Sequence, residues 1–193
     1  MIEHWPAPNK NEAQDRINRV ANILLDLGLT NGSTILDVGG SEYKSFCEKN
    51  QWKYTTANLN QAMNGVLYNV LPDTVLYDGL NLPFESNSFE VVVVNFVLHH
   101  AEDAIGLLQQ IANITKKYII VGEDLCDVTY PKKWILRNHE HQMGGNFRSD
   151  REWRHIFKLL DLTIQKQCVI HRKDDLDASK VFRTVYVLTR SNT

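Results

Sequence analysis

Cysteine is scarce in this chain, and the few copies form no recognisable site. Cys47, Cys126 and Cys168 lie far apart, are odd in number and include no C-x-x-C pair. Zinc ribbons, dithiol redox centres and disulfide frameworks need closely spaced or evenly paired cysteines, so the sequence disfavours all three. Isolated thiols fit a reducing compartment, and we expect a cytoplasmic protein.

Long apolar runs and strong net charge are also missing. No stretch approaches the eighteen or so apolar residues of a membrane-spanning helix. Residues 1–10 carry two prolines and no apolar core, unlike a secretory signal. We therefore expect a soluble protein without a membrane partner. The formal net charge of -2 exerts no general attraction on nucleic acid or anionic lipid.

Strand-like and helix-like patterns alternate along the chain of 193 residues, a length that fits one domain. Short apolar strands are predicted at 33–38, 52–58, 74–77, 89–95, 118–121, 162–170 and 181–188. Helices are predicted at 11–27 and 41–50, on the apolar stripe Ile105, Leu108, Ile111 and Ala112, and after a capping box at 149–152, with Trp153, Ile156, Phe157 and Leu160 buried. The polar connector at 171–180 suits a hairpin, which makes the last strand antiparallel. These elements predict an α/β domain with a mostly parallel seven-stranded sheet and helices on both faces.

The most informative stretch is DGLNLPFESNSFEVVVVNFVLHH at 78–100. An acid, Asp78, closes one strand; a proline-containing turn follows, and then an apolar run that is typical of a strand buried on both faces. Asn95 ends that run. Open α/β sheets bind ligands beyond the carboxyl ends of their strands, so Asp78 and Asn95 indicate a nucleotide-like pocket.

A second segment, ILDVGGS at 35–41, places Asp37 at the end of a strand and two glycines in the turn that opens a helix. Glycine allows a ligand to approach the backbone, and the start of a helix offers unpaired N–H groups. A dinucleotide site would require G-x-G-x-x-G, and Glu42 would repel a diphosphate. A ligand with a cationic ammonium or sulfonium tolerates that acid, so NAD is the poorer fit.

Together these two segments resemble the class I S-adenosylmethionine-dependent methyltransferases of the broad small-molecule type, with the best match over residues 34–121. In that family the first strand ends in D-x-G-x-G-x-G, which Asp37 and Gly39 match, while Ser41 and Tyr43 replace the later glycines. The resemblance implies a Rossmann-like three-layer sandwich and S-adenosylmethionine as cofactor, with S-adenosylhomocysteine as product. The cofactor-binding residues it implies are Asp37, Gly39, Gly40, Asn58, Leu59, Asp78, Gly79, Leu80, Asn95 and Phe96.

The resemblance also implies a role for each strand end. Asp78 would receive the adenine amino group, with Gly79 and Leu80 lining the ring, and Asn95 would meet the amino-acid end of the cofactor. Asn58 stands where the family has an acid for the ribose hydroxyls. A carboxamide offers one neutral acceptor and a donor, so we expect weaker ribose binding than a carboxylate gives. The structural alternative for Asp78 and Asn95 is the capping of a turn or helix.

The candidate acceptor site is less specific. His100 and His139 are the candidate general bases, and a structural role for the His99-His100 pair is the competing interpretation. The candidate substrate-binding residues are Glu123, Trp134, His141 and Arg148. The H-x-H at 139–141 is poor zinc evidence without a third ligand, and no metal is expected. The tryptophans could equally be buried helix faces.

Basic residues are enriched between 130 and 160, where the sequence has seven lysines and arginines but only three acidic residues. This region is either a solvated basic face or a wall that recognises an anionic substrate. We expect one methyltransferase domain over 1–193, with an N-terminal helical cap at 1–30 and a substrate-side insertion at 125–160.

The sequence favours methyl transfer to a small-molecule acceptor, with an anionic group on the acceptor as a further expectation. An RNA or nucleotide methyltransferase is one alternative, since the same basic region could contact nucleic acid. A catalytically silent cofactor-binding or partner-binding module is another. Either a monomer or a homodimer is compatible with the sequence.

Overall fold

The computed structural model describes residues 2–5, 12–59, 71–125, 147–170 and 182–191. The strands are β1 (Ile2–Trp5), β2 (Thr34–Val38), β3 (Lys53–Leu59), β4 (Val75–Tyr77), β5 (Phe89–Asn95), β6 (Thr115–Leu125), β7 (Leu162–Ile170) and β8 (Phe182–Arg190). The helices are α1 (Glu12–Asp26), α2 (Lys44–Lys49), α3 (Ala104–Ile114) and α4 (Asp150–Leu159), and a 3-10 turn covers Leu98–His100.

The strands form one sheet in the order β1-β7-β8-β6-β5-β2-β3-β4. β8 runs antiparallel to both of its neighbours, and the other pairings are parallel. The predicted fold class is therefore confirmed, including the antiparallel last strand. The connector predicted at 171–180 lies outside the described residues.

The prediction from the sequence missed one strand, β1. Residues Ile2–Trp5 pair in parallel with β7 and bring the strands to eight, so the segment 1–30 contains a strand as well as a helix. This four-residue segment shows no clear alternation of apolar and polar residues. Its conformation depends on the backbone hydrogen bonds that an existing sheet edge offers, which local pattern cannot report.

The sheet is buried on both faces, as the run at 89–95 predicted. Val91, Val92, Val93 and Val94 are all 0% exposed. Val92 and Val94 lie in the core with α3 and α4, whereas Val91 and Val93 lie in the core with α1 and α2. Burial of each such side chain stabilises the fold by roughly 1.5–3 kcal/mol.

The helix predictions are confirmed for α1 and α4, except that Leu160, which was expected to be buried, is only partly buried and follows the end of α4. Corrections are also needed for α2 and α3. The capping box of α4 is present: the Ser149 hydroxyl accepts from the Glu152 N–H at 3.3 Å, and Glu152 accepts from the Ser149 N–H at 2.7 Å. α2 begins at Lys44 because the residues before it form a turn. Ile105 is 41% exposed, so placing it in the buried stripe of α3 was wrong. The other predicted residues, Leu108, Ile111 and Ala112, are buried, and Ala104, Leu107 and Ile114 complete the buried face.

Among the described residues, no helix combines the length and apolar character needed to cross a bilayer. The division into a cap at 1–30 and an insertion at 125–160 stays a prediction, since residues 126–146 lie outside the described part.

Candidate cofactor site

The candidate site lies at the carboxyl ends of β2, β3, β4 and β5. β2 is the strand at which the chain order reverses, because β3 and β4 follow on one side and β5 and β6 on the other. Val38 is in register with both Ala57 and Val94, which brings Asp37, Asn58 and Asn95 to the same edge of the sheet. This reversal point is where open α/β sheets bind their ligands.

Asp37 is buried and packs against the glycine turn that follows β2. Its side chain is 1% exposed, and its Oδ2 accepts a hydrogen bond from the Tyr54 hydroxyl at 2.7 Å. Burial raises the pKa of Asp37 to about 7, although the Tyr54 hydrogen bond opposes the rise. A Cβ on Gly40 would stand 2.8 Å from Asp37 Oδ1, so Gly40 leaves room for the carboxyl group. Tyr54 was not singled out from the sequence, because its partner lies on the neighbouring strand.

The turn after β2 is held on both sides. Gly39 has a φ of +79° and donates its N–H to the Ala57 carbonyl at 2.7 Å. A Cβ on Gly39 would collide with Val97 Cγ2, while the Thr56 hydroxyl donates to the Gly40 carbonyl. Glycine at 39 is therefore required by both conformation and space.

Tyr43 occupies a place where the family has glycine, yet its side chain does not point into the pocket region. It is 0% exposed and lies in the core with α1 and α2. Its hydroxyl accepts a hydrogen bond from Asn95 Nδ2 at 2.7 Å. This departure from the glycine motif thus ties the turn to the end of β5 instead of blocking the carboxyl edge.

Asn58 and Leu59 end β3 beside the loop after β4. Asn58 Oδ1 accepts the N–H of Leu59 at 2.9 Å, so its one acceptor atom already has a partner. Gly79 has a φ of +89°, and a Cβ there would stand 3.0 Å from Leu59 Cδ2. Leu59 therefore packs directly against Gly79. The adenine-lining role of Gly79 and Leu80 stays a prediction.

Asp78 caps its own turn at the surface. Its Oδ1 accepts from the N–H groups of Leu80 at 2.8 Å and Asn81 at 2.6 Å, and its Oδ2 accepts from Asn81 Nδ2 at 3.0 Å. These hydrogen bonds, that of the Asn81 side chain first, lower the pKa of Asp78. A carboxylate has about four acceptor positions, so capping and ligand binding are compatible. Leu80 beside it is 50% exposed.

Asn95 and Phe96 join β5 to the 3-10 turn. Phe96 has a φ of +58°, and its N–H donates to the Gly122 carbonyl at 2.8 Å. Asn95 Oδ1 is buried and has no hydrogen-bond partner among the described residues. A Cβ on residue 122 would collide with this oxygen, so Gly122 permits the orientation of Asn95.

Glu123 lies under the 3-10 turn and is 0% exposed. Its Oε1 accepts the Leu98 N–H at 3.0 Å, and its Oε2 lies 2.7 Å from His99 Nδ1. Burial raises the pKa of Glu123. Burial by itself would lower the pKa of His99, but the hydrogen bond to Glu123 and the charges of Glu123 and Asp124 together raise it. Both carboxylate oxygens therefore serve the fold, and direct substrate contact by Glu123 stays a prediction.

The structure adds a pair that the sequence did not suggest. Arg183 Nε donates to Asp124 Oδ1 at 2.7 Å, and its guanidinium lies 5.7 Å from the centroid of the Phe96 ring. Asp124 and Arg183 are register partners in antiparallel β6 and β8. Only the register of these two strands, which are distant in sequence, could have indicated this contact.

Of the other predicted acceptor-side residues, the structure describes His100 and Arg148. His100 is half-buried, and its ring centroid lies 4.0 Å from that of His99. Arg148 lies over the Trp153 ring at 5.1 Å and bridges Leu125 through its backbone. Trp134, His139 and His141 lie outside the described residues.

Residues 25–120 match the family model of the methyltransferase domain. They span about half of the chain and contain every residue predicted for the cofactor. This chain belongs to the class I methyltransferases. The family resemblance is therefore confirmed, and so is S-adenosylmethionine as the cofactor of this class. No curated protein matches this methyltransferase by sequence.

Several solved structures share its fold. A chain from the complex between the Haloferax volcanii methyltransferase activator Trm112 and a methyltransferase has a TM-score of 0.67 at 18% identity, over 93% of this chain and 92% of that one. Geranyl diphosphate C-methyltransferase from Streptomyces coelicolor, with Mg²⁺, geranyl diphosphate and S-adenosyl-L-homocysteine, has a TM-score of 0.69 at 14% identity, over 93% and 81%. The 4+2 cyclase SpnF has a TM-score of 0.72 at 14% identity, over 99% and 87%.

Proposed function

We propose that this methyltransferase transfers the methyl group of S-adenosylmethionine to a small-molecule acceptor that carries an anionic group. The observation that carries the proposal is the convergence of Asp37, Asn58, Asp78 and Asn95 at one edge of the sheet, inside the segment that matches the methyltransferase domain.

The residues at that edge fit S-adenosylmethionine. The backbone of the turn after Asp37, which packs against Val97 and the Asp37 carboxyl group, is proposed to face the ligand. Leu59 packs against Gly79 and would offer an apolar surface to a flat ring. Asp78 carries a negative charge beside the exposed Leu80, where an amino group could donate to it. Asp37, Gly39, Gly40 and Phe96 would hold the methionine part together with Asn95, and Asn58 the ribose.

When bound, the cofactor supplies an electrophilic methyl group on a positively charged sulfur. The acceptor would provide the lone pair that takes up this methyl group, with S-adenosylhomocysteine as the other product. Because the leaving group is already activated, the role of this chain is to bind the cofactor and the acceptor, to orient them towards each other and to exclude water. If the acceptor is a hydroxyl group, His100 or His139 would take its proton.

The acceptor is assigned to the side of the sheet near β6. Leu125 and Arg148 bridge through their backbones, so both ends of the segment 126–146 meet at the carboxyl edge. That segment carries Trp134, His139 and His141 as well as basic residues. Arg148 and these residues are proposed to recognise an anionic group.

Calorimetry with S-adenosylhomocysteine tests the cofactor half of the proposal. Asp78→Asn keeps an oxygen that can cap the turn but removes the charge, so it should weaken binding about fivefold or more. Asp161→Asn, on an exposed turn at the other end of the sheet, is the matched control and should bind like the wild type. Equal affinity for all three proteins would remove Asp78 from the site.

Transfer of labelled methyl from S-adenosylmethionine tests the acceptor half. A metabolite extract and a total RNA preparation are offered separately, and label in an anionic metabolite is the expected result. Label in RNA would support the nucleic-acid alternative instead, and label in neither would contradict methyl transfer.

A cofactor-binding or partner-binding module without methyl transfer is the second candidate. One observation favours it: the acceptor atom of Asn58, the residue predicted for the ribose, already has a partner in the Leu59 N–H. The likeness to the SpnF cyclase is consistent with a reaction other than methyl transfer. The likeness to a methyltransferase in complex with Trm112 is consistent with a protein partner. Light scattering of the purified protein, alone and after co-purification from its source, would distinguish a monomer, a homodimer and a complex.

A further inference from the structure

Glu123 is placed to act on its neighbours and not on a ligand. It is a carboxylate with 0% exposure at the carboxyl end of β6, the side assigned to the acceptor. One oxygen accepts the Leu98 N–H at 3.0 Å and the other lies 2.7 Å from His99 Nδ1. Unlike the exposed Asp78, this carboxylate is completely covered by the protein, so a substrate could not reach either oxygen without displacing the groups around it.

The first contact fixes the start of the 3-10 turn. The opening amides of a helical turn have no partner within it, and Glu123 supplies one for Leu98. Inside the turn, the His100 N–H donates to the Val97 carbonyl at 2.9 Å, and the Ala101 N–H donates to the Leu98 carbonyl at 3.2 Å. The carboxylate on β6 thus anchors the whole turn that follows β5.

The second contact fixes the His99 ring. The imidazole is 2% exposed, and its Nδ1 lies 2.7 Å from Glu123 Oε2. Since an ionised carboxylate can only accept, it selects the tautomer with the proton on Nδ1. Phe147 stacks on the ring with centroids 4.7 Å apart and an interplanar angle of 20°. Asp124 and Arg183 are the other charged groups that act on it, with opposite signs. His99 is therefore held in position and in tautomer by groups from β6 and from the segment before α4.

His100 packs against this fixed ring, with centroids 4.0 Å apart and an interplanar angle of 50°. We propose that Glu123 is a positioning residue which, through the Leu98 amide and the His99 ring, sets the place of His100 beside the acceptor. The inference rests on the proposed function, in which His100 is the candidate base. It replaces direct substrate contact as the role of Glu123.

Three variants test the inference. Glu123→Gln keeps the shape and can still accept from Leu98, but its NH₂ group donates to His99 and so reverses that hydrogen bond. His99→Gln removes the ring and leaves Glu123 in place. Glu90→Gln is the matched control, because Glu90 lies at the start of β5, at the other end of the sheet, and pairs with Lys117.

The first measurement requires no acceptor. Ring signals of ¹⁵N-labelled protein are assigned to His100 with the variant His100→Gln. We expect them to shift in Glu123→Gln and in His99→Gln and to stay unchanged in Glu90→Gln. If the His100 signals stay unchanged in Glu123→Gln, the inference is overturned. If Glu123→Gln does not fold, His99→Gln decides by the same signals.

The second measurement uses labelled methyl transfer to the metabolite extract that the wild type modifies. Glu123→Gln should lower kcat about 100-fold with the affinity for S-adenosylhomocysteine unchanged, since small misplacement near the chemistry has effects of that size. The double variant with His99→Gln should be no slower than the slower single variant. Losses that multiply would indicate independent action and overturn the inference. Absence of transfer by the wild type would contradict the proposed function, and the His100 signals would then decide the inference alone.

Discussion

At the scale of single residues, the site is built from polar side chains that hold one another. Asp37 accepts from Tyr54, Tyr43 accepts from Asn95, and Asn58 accepts from the next amide in the chain. A buried polar group without such a partner would destabilise the fold by about 1–3 kcal/mol. The residue pattern of the site therefore serves stability as well as ligand binding.

Asp37 predicts a pH dependence of stability. Its folded pKa of about 7 lies above the ordinary value of 3.8, so the folded protein keeps a proton that the unfolded chain releases between these values. The contribution of this proton is complete below pH 4 and is lost as the pH rises to 7, by up to about 4 kcal/mol.

Asp37→Asn cannot titrate, yet it can still accept from Tyr54, so it should lose less stability between pH 5 and pH 8 than the wild type. Urea unfolding at both pH values measures the difference. Asp161→Asn serves as the control and should follow the wild type. The same loss in Asp37→Asn as in the wild type would show that Asp37 is already ionised at pH 5.

Asn58→Asp should tighten cofactor binding. One carboxylate oxygen can keep the hydrogen bond to Leu59, and the second adds a charged acceptor for the ribose hydroxyls. We expect about a fivefold lower Kd for S-adenosylhomocysteine, equivalent to about 1 kcal/mol. Asn113→Asp, at the end of α3 near Ser86, is the control for added charge. An unchanged Kd would place the ribose elsewhere.

At the scale of elements, the turn between β2 and α2 is the most constrained connection in the site. It is bonded to β3 through Gly39 and Gly40, and it packs against Val97 after β5. Its position is thereby set by two strands that are not adjacent to it in sequence.

Alanine variants of two glycines distinguish the cost of a positive φ from the cost of a steric collision. Gly39 and Gly32 both have positive φ, +79° and +83°, but a Cβ at Gly32 would meet nothing within 4 Å, whereas one at Gly39 would collide with Val97. Gly32→Ala should cost about 1–2 kcal/mol of unfolding free energy, and Gly39→Ala a further 1–3 kcal/mol or so.

Chemical denaturation measures the unfolding free energy of both variants. Calorimetry with S-adenosylhomocysteine measures whether their affinity for this ligand also falls. Only Gly39→Ala should weaken binding. Equal stability and equal binding in the two variants would mean that the turn shifts freely away from Val97.

At the scale of the whole molecule, one eight-stranded sheet connects the candidate site to both helical layers. A ligand that binds only the folded state at the carboxyl edge should therefore stabilise the whole sheet and not a single loop.

S-adenosylhomocysteine at one hundred times its Kd should add about 2.7 kcal/mol and raise the Tm by roughly 5–10 °C. NAD at the same concentration is the control ligand, because Glu42 in the glycine turn disfavours a diphosphate. Thermal unfolding followed by circular dichroism measures both. A shift with NAD, or none with S-adenosylhomocysteine, would contradict the assignment of the site.

Much of this architecture could be predicted from the sequence because it depends on local pattern. Four consecutive valines at 91–94 indicate a doubly buried strand, and Ser149 with Glu152 indicates a helix start. The segments around Asp37 and Asp78 were sufficient for the family. Strand β1, the exposure of Ile105 and the start of α2 were missed, since each depends on which neighbour the element packs against.

The sequence by itself determined the fold class, the strand ends that carry polar residues and the cofactor of the family, because these follow from periodicity and from short motifs. The tertiary structure alone decided that Tyr43 turns into the core, that Asp124 contacts Arg183 and that Glu123 holds the turn that contains His100. Each of these contacts joins residues that are distant in sequence. Their geometry is set by strand register, which no local pattern encodes.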